Sequence, residues 1–325
     1  MRRLLVPLAA LALLGTMTAC GGSSSDTSSA AKSSGGTTHV KVGVIPIVDV
    51  APIYLGKEKG FFSKRGIDLE LVQESGGAAS VPGVVAGDFQ YSFANITSVL
   101  LAQSQGIPLK VIAEGNSSTG DKTKDFGGIV VPPGSTIKSP KDLVGKTIAV
   151  NNLKNIGEVS IRKAIQDDGG DPSKIKFAEL AFPDMPAALA NKQVDAAWLV
   201  EPFFTVAQKQ GNTVISYNLA STVPDLTIGT YFTTAQQIQK DPTLTKNFKA
   251  AIQESLKYAQ DNPDEVRRIL QTYTKIDAAT AGAITLPAFP QEVGAASVQT
   301  VADLMVKYGM TTKKPDVSSV LSGTK

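Results

Sequence analysis

Short apolar runs rich in valine, isoleucine and phenylalanine recur along most of the chain and are separated by segments with helical spacing. A run of roughly four to eight such residues, bounded by glycine, proline or polar residues, is typical of a buried strand. The pattern predicts strands over residues 40–45, 66–72, 89–94, 109–113, 127–131, 148–150, 175–180, 194–200, 213–217 and 227–232.

Helices are predicted in the intervening segments from three signals: proline in a first turn, glycine after a last turn, and capping side chains. The carboxy-terminal part of the chain is largely helical in pattern. The predicted helices cover residues 52–59, 76–87, a segment beginning at 95–97, 139–143, 157–166, a segment after Asp184, 245–261, 264–273, 277–284 and 295–308.

The order of these elements predicts an α/β fold with two Rossmann-like lobes. One unit of alternating strands and helices begins at Val40 and a second begins at Thr147. Such alternation predicts parallel sheets that helices cover on both faces. Two units joined by two crossings of the chain predict a cleft between lobes. We place lobe I at residues 40–126 plus 228–325 and lobe II at residues 127–227.

A weak internal repeat agrees with the two-lobe prediction. Residues 84–90 and residues 189–195 each combine a helix end, a tight turn and the start of a buried strand. Few residues are identical between the two segments, so the repeat indicates similar local structure and little more.

The first twenty residues have the pattern of a targeting segment. Arg2 and Arg3 precede an apolar run over residues 4–14, which is too short to span a bilayer as a permanent helix. Small residues then precede Cys20, the only cysteine, in an arrangement that resembles the lipobox of bacterial lipoproteins. We predict a signal peptide over residues 1–19 and a lipidated Cys20. The alternative is an ordinary signal peptide with an accidental cysteine.

The next segment, residues 20–39, is composed mainly of glycine, serine, threonine and alanine. It is predicted to be a flexible tether with a root-mean-square reach of about 20–25 Å. A lipidated cysteine and a tether predict an extracytoplasmic protein anchored to the outer face of the cell membrane. His39, the only histidine, falls at the end of the predicted tether.

Charge and residue usage exclude several classes of function. The formal net charge of +3 includes the two arginines of the targeting segment, so nucleic acid is not an expected partner. Acid–base and metal chemistry usually recruit histidine or cysteine. Neither type occurs in the predicted folded body, so no catalytic residue, metal site or cofactor is predicted.

Residues 194–204 form the most informative stretch, in which a buried strand ends in a carboxylate beside a proline. Pro202 lacks an N–H and fixes its own φ, and it holds the preceding residue extended. Glu201 is therefore predicted to lie at the carboxyl end of the strand, where open α/β sheets bind ligands. We interpret Glu201 as a ligand contact, a hinge lock, or a chance acid at a strand end.

Several motifs stand out as a set: residues 51–54 (Ala-Pro-Ile-Tyr), 59–62 (Lys-Gly-Phe-Phe), 66–69 (Gly-Ile-Asp-Leu), 193–197 (Gln-Val-Asp-Ala-Ala) and 201–202 (Glu-Pro). Together they resemble the nitrate/sulfonate/taurine/thiamine-precursor group of ABC-importer solute-binding proteins, over most of residues 40–308. The resemblance implies a type II periplasmic-binding-protein fold and a monomer that delivers a small molecule to a permease and its ATPase.

The chain departs from that family at two places. Gln90 stands where the family often has aspartate, and Asn191 with Lys192 replaces a Ser-Gly turn. We interpret both as variations of packing and turn. The family also includes a fungal enzyme that makes the thiamine pyrimidine with an active-site histidine, which has no match in the folded body. An enzyme on the same fold and a sensor without transport are the alternative functions.

Candidate ligand contacts are the polar and glycine positions in loops at strand ends, although each could instead be a solvated loop residue or a helix cap. Trp198 is expected in the core. The predicted ligand-binding residues are Asp49, Tyr54, Gly76, Gly77, Ala78, Asn95, Thr97, Asn152, Lys154, Asp184 and Glu201.

The charges of these loops favour some ligands over others. The loops contain no arginine, one lysine and three acids, so a bare anion such as nitrate fits poorly. A donor or cationic end suits Asp49 and Glu201, while the helix start at residues 76–78 can take an anionic end. An amino-sulfonate such as taurine, an aminopyrimidine or another heterocycle fits both, and a sulfonate or carboxylate without an amine stays open.

Overall fold

The computed structural model describes residues 36–324, and the predicted signal peptide, Cys20 and most of the predicted tether lie outside the described residues. The described chain contains two five-stranded sheets. In chain order the strands are β1 Thr38–Val44, β2 Ile67–Gln73, β3 Tyr91–Asn95, β4 Leu109–Ser117, β5 Gly127–Val131, β6 Thr147–Val150, β7 Lys176–Glu179, β8 Ala196–Val200, β9 Thr213–Ser216 and β10 Thr227–Thr234.

Helices flank both sheets and form most of the carboxy-terminal part of the described chain. They are α1 Ala51–Glu58, α2 Gly77–Ala86, α3 Ile96–Ser104, α4 Ile156–Asp167, α5 Met185–Ala190, α6 Phe203–Lys209, α7 Asn218–Thr222, α8 Ala235–Lys240, α9 Pro242–Asp261, α10 Pro263–Tyr273, α11 Ala278–Ala283, α12 Ala295–Lys307 and α13 Val317–Val320. Short 3-10 turns cover Val48–Val50, Ser63–Arg65, Pro140–Leu143, Phe182–Asp184 and Leu321–Thr324.

Both sheets are mixed, so the prediction of parallel sheets is wrong for one strand in each. The first sheet has the order β2-β1-β3-β10-β4 and the second has the order β7-β6-β8-β5-β9. In the first, β10 runs antiparallel to β3 and β4; in the second, β5 runs antiparallel to β8 and β9. These two strands are the first that the chain forms after passing from one sheet to the other. Each enters its sheet where the neighbouring strands end, and therefore runs against them.

The strand and helix boundaries agree with the predicted pattern with a few differences. Strand β1 begins at Thr38, so His39 belongs to this strand instead of the predicted tether. Strand β4 continues to Ser117, beyond the predicted end at residue 113. The sequence pattern did not predict the short helices α6, α7, α8 and α13, because four to seven residues give too little periodicity to detect.

Large aromatic side chains fill the cores beneath the helices. Trp198 is 1% exposed, which confirms its predicted place in the core. In the first sheet, the Tyr91 ring stacks on Phe248 of α9 with centroids 4.1 Å apart. Phe93 meets Tyr231 edge to face at 5.4 Å. The first contact holds α9 against the sheet and the second joins the neighbouring strands β3 and β10, both through the apolar and geometric preferences of aromatic pairs.

The internal repeat is reproduced in hydrogen bonds. Gln90 Oε1 accepts from the Lys41 N–H in the middle of β1 at 2.8 Å. In the second sheet, Asp195 Oδ2 accepts from the Thr147 N–H at the start of β6, also at 2.8 Å. The backbone N–H groups of Gln90 and Asp195 return the bond to the carbonyls of Lys41 and Thr147. Gln90 therefore accepts the same backbone hydrogen bond in the first sheet that Asp195 accepts in the second, as expected for a packing variation.

No helix of the described residues has the length and apolar character needed to cross a membrane.

Candidate functional site

The carboxyl ends of the strands of one sheet face those of the other. In the first sheet these ends lead into loops after β1, β2, β3 and β4, and in the second into loops after β6, β7 and β8. The two sets of loops touch directly at Gly76 and Asn152: a Cβ placed on Gly76 would lie 1.9 Å from Asn152 Oδ1. Asn152 is 6% exposed. The two edges are therefore closed on each other, with the candidate residues between or beside them.

Glu201 lies where the sequence placed it, directly after β8, and its peptide bond to Pro202 is cis. Its carboxylate accepts three hydrogen bonds: from the Thr205 hydroxyl at 2.7 Å, the Thr205 N–H at 3.0 Å and the Thr285 N–H at 3.2 Å. Its backbone N–H donates to the Phe126 carbonyl, and its carbonyl accepts from the Val48 N–H at 3.0 Å. Glu201 thus joins β8, the first crossing segment, the loop after β1 and the carboxy-terminal part of the chain.

Burial governs the ionisation of Glu201, which is 1% exposed. Loss of water raises the pKa of this carboxyl to about 7, while the bonds from Thr205 and Thr285 act in the opposite direction. Both carboxylate oxygens of Glu201 therefore already accept hydrogen bonds from protein donors.

The segment that follows α10 connects both sheets, and we name residues 274–289 the carboxy-terminal strap. Its Thr280 hydroxyl accepts from Lys209 Nζ of α6 at 2.9 Å, and Thr285 binds Glu201. At its end, Ala288 exchanges two backbone hydrogen bonds with Ser117 at the end of β4. The strap therefore contacts α6 and the residue that follows β8, and then returns to the first sheet.

A cavity of about 200 Å³ lies between the edges near the start of the strap. Its walls come from the loop after β1, from the end of β2, from the second-sheet loops and from the end of α10. The lining residues are Pro46, Gln73, Pro183, Phe203, Tyr273, Thr274 and Lys275.

Tyr54 is half-buried beside this cavity. Its ring stacks on Tyr273 with centroids 3.9 Å apart and planes 8° apart. The Tyr273 hydroxyl donates to the Ile47 carbonyl at 3.0 Å. Burial raises the pKa of Tyr54, and a hydrogen bond with Gln73 opposes that shift. This stack ties α1 and α10 to the loop after β1.

Asp49 lies in the 3-10 turn after β1 and is 1% exposed. Its Oδ2 makes no hydrogen bond of good geometry among the described residues, nor do the two amide atoms of Asn116 at the end of β4, although that amide lies close enough to act on the Asp49 carboxyl. Burial raises the pKa of Asp49 to about 7; the nearby Asn116 amide lowers it and the Asp125 carboxylate raises it. Buried polar atoms without partners carry a cost of about 1–3 kcal/mol each, so this group is unusual in a folded protein.

Asn95 and Thr97 lie at the amino terminus of α3, and both are buried. The Asn95 side chain makes no capping bond to the helix, and Thr97 Oγ1 has no partner among the described residues. Neither side chain therefore acts as the helix cap that was the alternative interpretation.

The three predicted contacts at the start of α2 differ in burial. Gly76 and Gly77 are buried, and Ala78 is exposed. A Cβ on Gly77 would meet the Ala94 Cβ at 2.4 Å, so this glycine is needed for packing against β3.

Lys154 and Asp184 are exposed at the rim of the second-sheet edge. Lys154 has a φ of 55°, and its N–H donates to Glu158 at 2.8 Å. Asp184 precedes α5, but its side chain makes no capping bond to that helix. The chain turns through the 3-10 segment Phe182–Asp184 there, which leaves the carboxylate in solvent.

Three residues at this site did not follow from sequence reasoning: Asn116, Tyr273 and Thr285. Asn116 opens a polar run directly after the apolar β4 pattern, and this signal could have found it. Tyr273 and Thr285 reach the site from far along the chain, and Thr285 contributes only a backbone N–H, which no side-chain pattern reveals.

The arginines of the described residues are all paired with acids on helices. Arg65 pairs with Glu254, Arg162 with Glu158, Arg267 with Asp264, and Arg268 with Glu58 and Glu265. No arginine among residues 36–324 is therefore directed at the buried carboxyls of the site.

Comparison with known proteins identifies several relatives. The taurine-binding periplasmic protein of Escherichia coli is 25% identical over 205 residues, 63% of this chain and 61% of the relative. The formylaminopyrimidine-binding protein of Halalkalibacterium halodurans is 19% identical over 223 residues, 68% of this chain and 65% of the relative. The matches thus span less than two thirds of the length of either relative.

Among solved structures, the alkanesulfonate-binding protein of Xanthomonas axonopodis pv. citri, determined with bound MOPS, aligns with a TM-score of 0.73. The alignment covers 87% of this chain and 97% of that one at 18% sequence identity. This similarity confirms the predicted periplasmic-binding-protein fold. A family model described as NMT1/THI5 like matches residues 47–266, well over half of the sequence, and the chain belongs to this NMT1/THI5-like family.

Proposed function

We propose that this protein captures a small organic molecule between its two sheets and delivers it to an ABC importer. The observation that carries the proposal is the contact of Gly76 with Asn152 across the two carboxyl edges. Polar side chains of Asp49, Thr97 and Asn116 are buried at the carboxyl edge of the first sheet. Open α/β sheets bind ligands at such edges, and buried polar groups need partners.

The relatives support a binding role over catalysis. The taurine- and formylaminopyrimidine-binding proteins are named for what they bind. Transfer of that role to this chain implies a permease and an ATPase as partners, a monomer as the working form, and a ligand from the amino-sulfonate, sulfonate or amino-heterocycle classes. Division of the chain into lobes at residues 126/127 and 227/228 is part of the same proposal.

The amino-terminal sequence supports a lipid anchor. The lipobox-like residues before Cys20 support diacylation of that cysteine, and two acyl chains hold a protein firmly on a membrane where one holds it only marginally. The tether would then suspend the folded body beyond the outer face of the cell membrane, within reach of a permease.

A ligand screen followed by solution scattering tests the function. A molecule present at a hundred times its Kd should add about 2.7 kcal/mol to the free energy of unfolding, which a thermal-shift screen of sulfonates, pyrimidines, nitrate and aromatic acids detects. A confirmed ligand should also reduce the radius of gyration, because closure of the two sheets is coupled to binding. Failure of every compound to stabilise the protein would count against solute capture.

A further inference from the structure

The carboxy-terminal strap links the two sheets in addition to the two crossings of the chain, and both of its ends are held on the first-sheet side. Directly before the strap, the Tyr273 carbonyl accepts from Gln73 Nε2 at 3.2 Å, and the Tyr273 hydroxyl donates to the Ile47 carbonyl at 3.0 Å. Near the other end, Ala288 and Ser117 exchange backbone hydrogen bonds of 2.9 and 3.1 Å. Each end therefore has two hydrogen bonds to strands of the first sheet or to the loop after β1.

The middle of the strap is held on the second-sheet side by single bonds. Lys209 Nζ, in the last turn of α6, donates to the Thr280 hydroxyl at 2.9 Å. The Thr285 N–H donates to Glu201 Oε1 at 3.2 Å. Hydrogen bonds from Thr280 lower the pKa of Asp277 in the strap, and the charge of Lys209 lowers it further, so α6 and the strap also attract each other electrostatically. Separation of the two sheets should therefore break these middle contacts before it breaks the ends.

The start of the strap forms part of the wall of the space between the sheets. Thr274 and Lys275 line the cavity of about 200 Å³. Lys275 and Ile276 line a largely apolar groove of about 470 Å³ along α5 and α6. The cavity and the groove share Pro183, Phe203 and Lys275, so the start of the strap borders both spaces. A shift of this segment away from α6 would join them.

On the basis of the proposed solute capture between two lobes, we infer that the strap is a latch. Its middle fastens the second sheet to the first in the closed arrangement, in which Gly76 contacts Asn152. Release of Thr280 from Lys209 accompanies opening and uncovers the cavity. Because the ends of the strap stay bound to the first sheet, the segment remains in position to close again. Motions of this kind take place in microseconds to milliseconds.

Amide hydrogen exchange of the full chain without ligand, resolved by residue, tests the latch. The Thr285 N–H reports the middle of the strap, and the Ala288 N–H reports its end. The Val48 N–H, which donates to the Glu201 carbonyl at 3.0 Å, reports the contact between the two lobes. Exchange at each amide measures the free energy of the opening that exposes it.

Lys209→Met is the deciding variant, because this exposed side chain can be replaced without disturbing the core. Exchange at Thr285 and at Val48 should become about 2- to 12-fold faster, the factor that corresponds to the net contribution of one hydrogen bond. Exchange at Ala288 should stay unchanged. Lys240→Met, in the last turn of α8, is the matched control and should behave as the wild type.

The partner of Lys209 provides a second pair of variants. Thr280→Val removes the accepting hydroxyl and should reproduce the exchange pattern of Lys209→Met. Thr280→Ser keeps the hydroxyl and should match the wild type, which a role of Thr280 in packing alone would not predict.

Three results in Lys209→Met would overturn the latch. Unchanged exchange at Thr285 would mean that the bond does not hold the strap. Faster exchange at Thr285 alone would mean that the strap contact is independent of the lobes, and equally faster exchange at Ala288 would indicate a general loss of stability. These readouts need no ligand, so a failed ligand screen would remove solute capture and leave them standing. A ligand that reduces the radius of gyration while Lys209→Met exchanges as the wild type would instead remove the latch alone.

Discussion

Asn152 Oδ1 occupies the space that a side chain at Gly76 would need, because a Cβ there would lie 1.9 Å away. The backbone of Gly76 is extended, with φ 175° and ψ 172°, so any residue can adopt it. The requirement for glycine therefore arises from the approach of the two sheets and not from the local conformation.

Gly76→Ala should consequently oppose closure. Moving Asn152 off its rotamer costs roughly 0.5–1.5 kcal/mol, which predicts an affinity loss of about 2- to 12-fold. Calorimetry with a confirmed ligand measures the loss. The double variant Gly76→Ala/Asn152→Ala should recover affinity if the clash is the cause, and Gly282→Ala, whose Cβ would meet nothing within 4 Å, serves as control. Wild-type affinity in Gly76→Ala would show that the two edges need not touch for binding.

The bond between Glu201 and Thr285 predicts a hinge lock. Glu201→Gln replaces one accepting oxygen by an NH₂ group, which then faces an N–H or O–H donor of Thr205 or Thr285. A buried group left without a partner costs about 1–3 kcal/mol. The free energy of unfolding without ligand should fall by that amount in urea denaturation, with little change in ligand affinity. An affinity loss of about 10-fold or more at unchanged apo stability would instead make Glu201 a ligand contact.

The strap provides a matched pair of variants for the same bond. Thr285→Pro removes the N–H that Glu201 accepts, and Ile284 before it is already extended, as a residue before proline must be. Thr285→Ala keeps the N–H. We expect the proline variant to lose stability and the alanine variant to stay close to the wild type. Equal stability of the two would show that the 3.2 Å bond contributes little.

The sequence predicts those site residues whose positions are fixed by adjacent residues in the chain. Pro202 places Glu201 at a strand end regardless of the rest of the fold, and the glycines at 76 and 77 begin α2 as expected. The hydrogen bond from the Thr285 N–H to the Glu201 carboxylate could not be predicted, because it joins residues 84 positions apart and its donor is a backbone group.

Long-range contacts also explain the errors in the predicted fold. Local patterns located most strands, yet the direction of β5 and β10 depends on which edge the crossing chain enters, a property of the whole fold. His39 appeared to end the tether because its neighbours are polar. In the structure, the His39 ring lies within hydrogen-bonding distance of Asp68 and Glu70 on the neighbouring strand β2, each at 2.9 Å.

Stability without ligand should fall as the pH rises from about 4 to 7. Burial raises the pKa of Asp49 and of Glu201 to about 7, and that of Glu114 well above its usual value. Between the unfolded and folded pKa values the folded state holds more protons, so raising the pH favours unfolding. His39, whose pKa is raised by Asp68 and Glu70, acts in the same direction at higher pH.

Denaturation at several pH values measures this slope. Asp49→Asn removes one titrating group and should flatten the curve between about pH 4 and 7, since each unit of pKa shift corresponds to about 1.4 kcal/mol. Asp88→Asn is the exposed control. A wild-type curve that rises over this range would show that the acids are not held protonated by burial.

The last prediction concerns the packing of α1 on α9. A Cβ on Gly56 would lie 1.8 Å from Ser255 Oγ and 2.9 Å from the Phe62 ring, so the two helices approach closely at this glycine. Glycine within a helix normally costs about 0.5–1 kcal/mol relative to alanine, so open space would make Gly56→Ala stabilising. In Gly56→Ala the clash with α9 should outweigh this gain and lower the free energy of unfolding by about 1–3 kcal/mol, measured by urea denaturation. Ser255→Ala in the same chain removes the nearest atom and should restore part of the loss. Because α1 carries Tyr54 and follows Asp49 directly, the strained variant should also bind ligand more weakly, and the double variant should recover both properties together. A stabilised Gly56→Ala protein would mean that α1 can move away from α9 without cost, and Asp49 would then lack a fixed support.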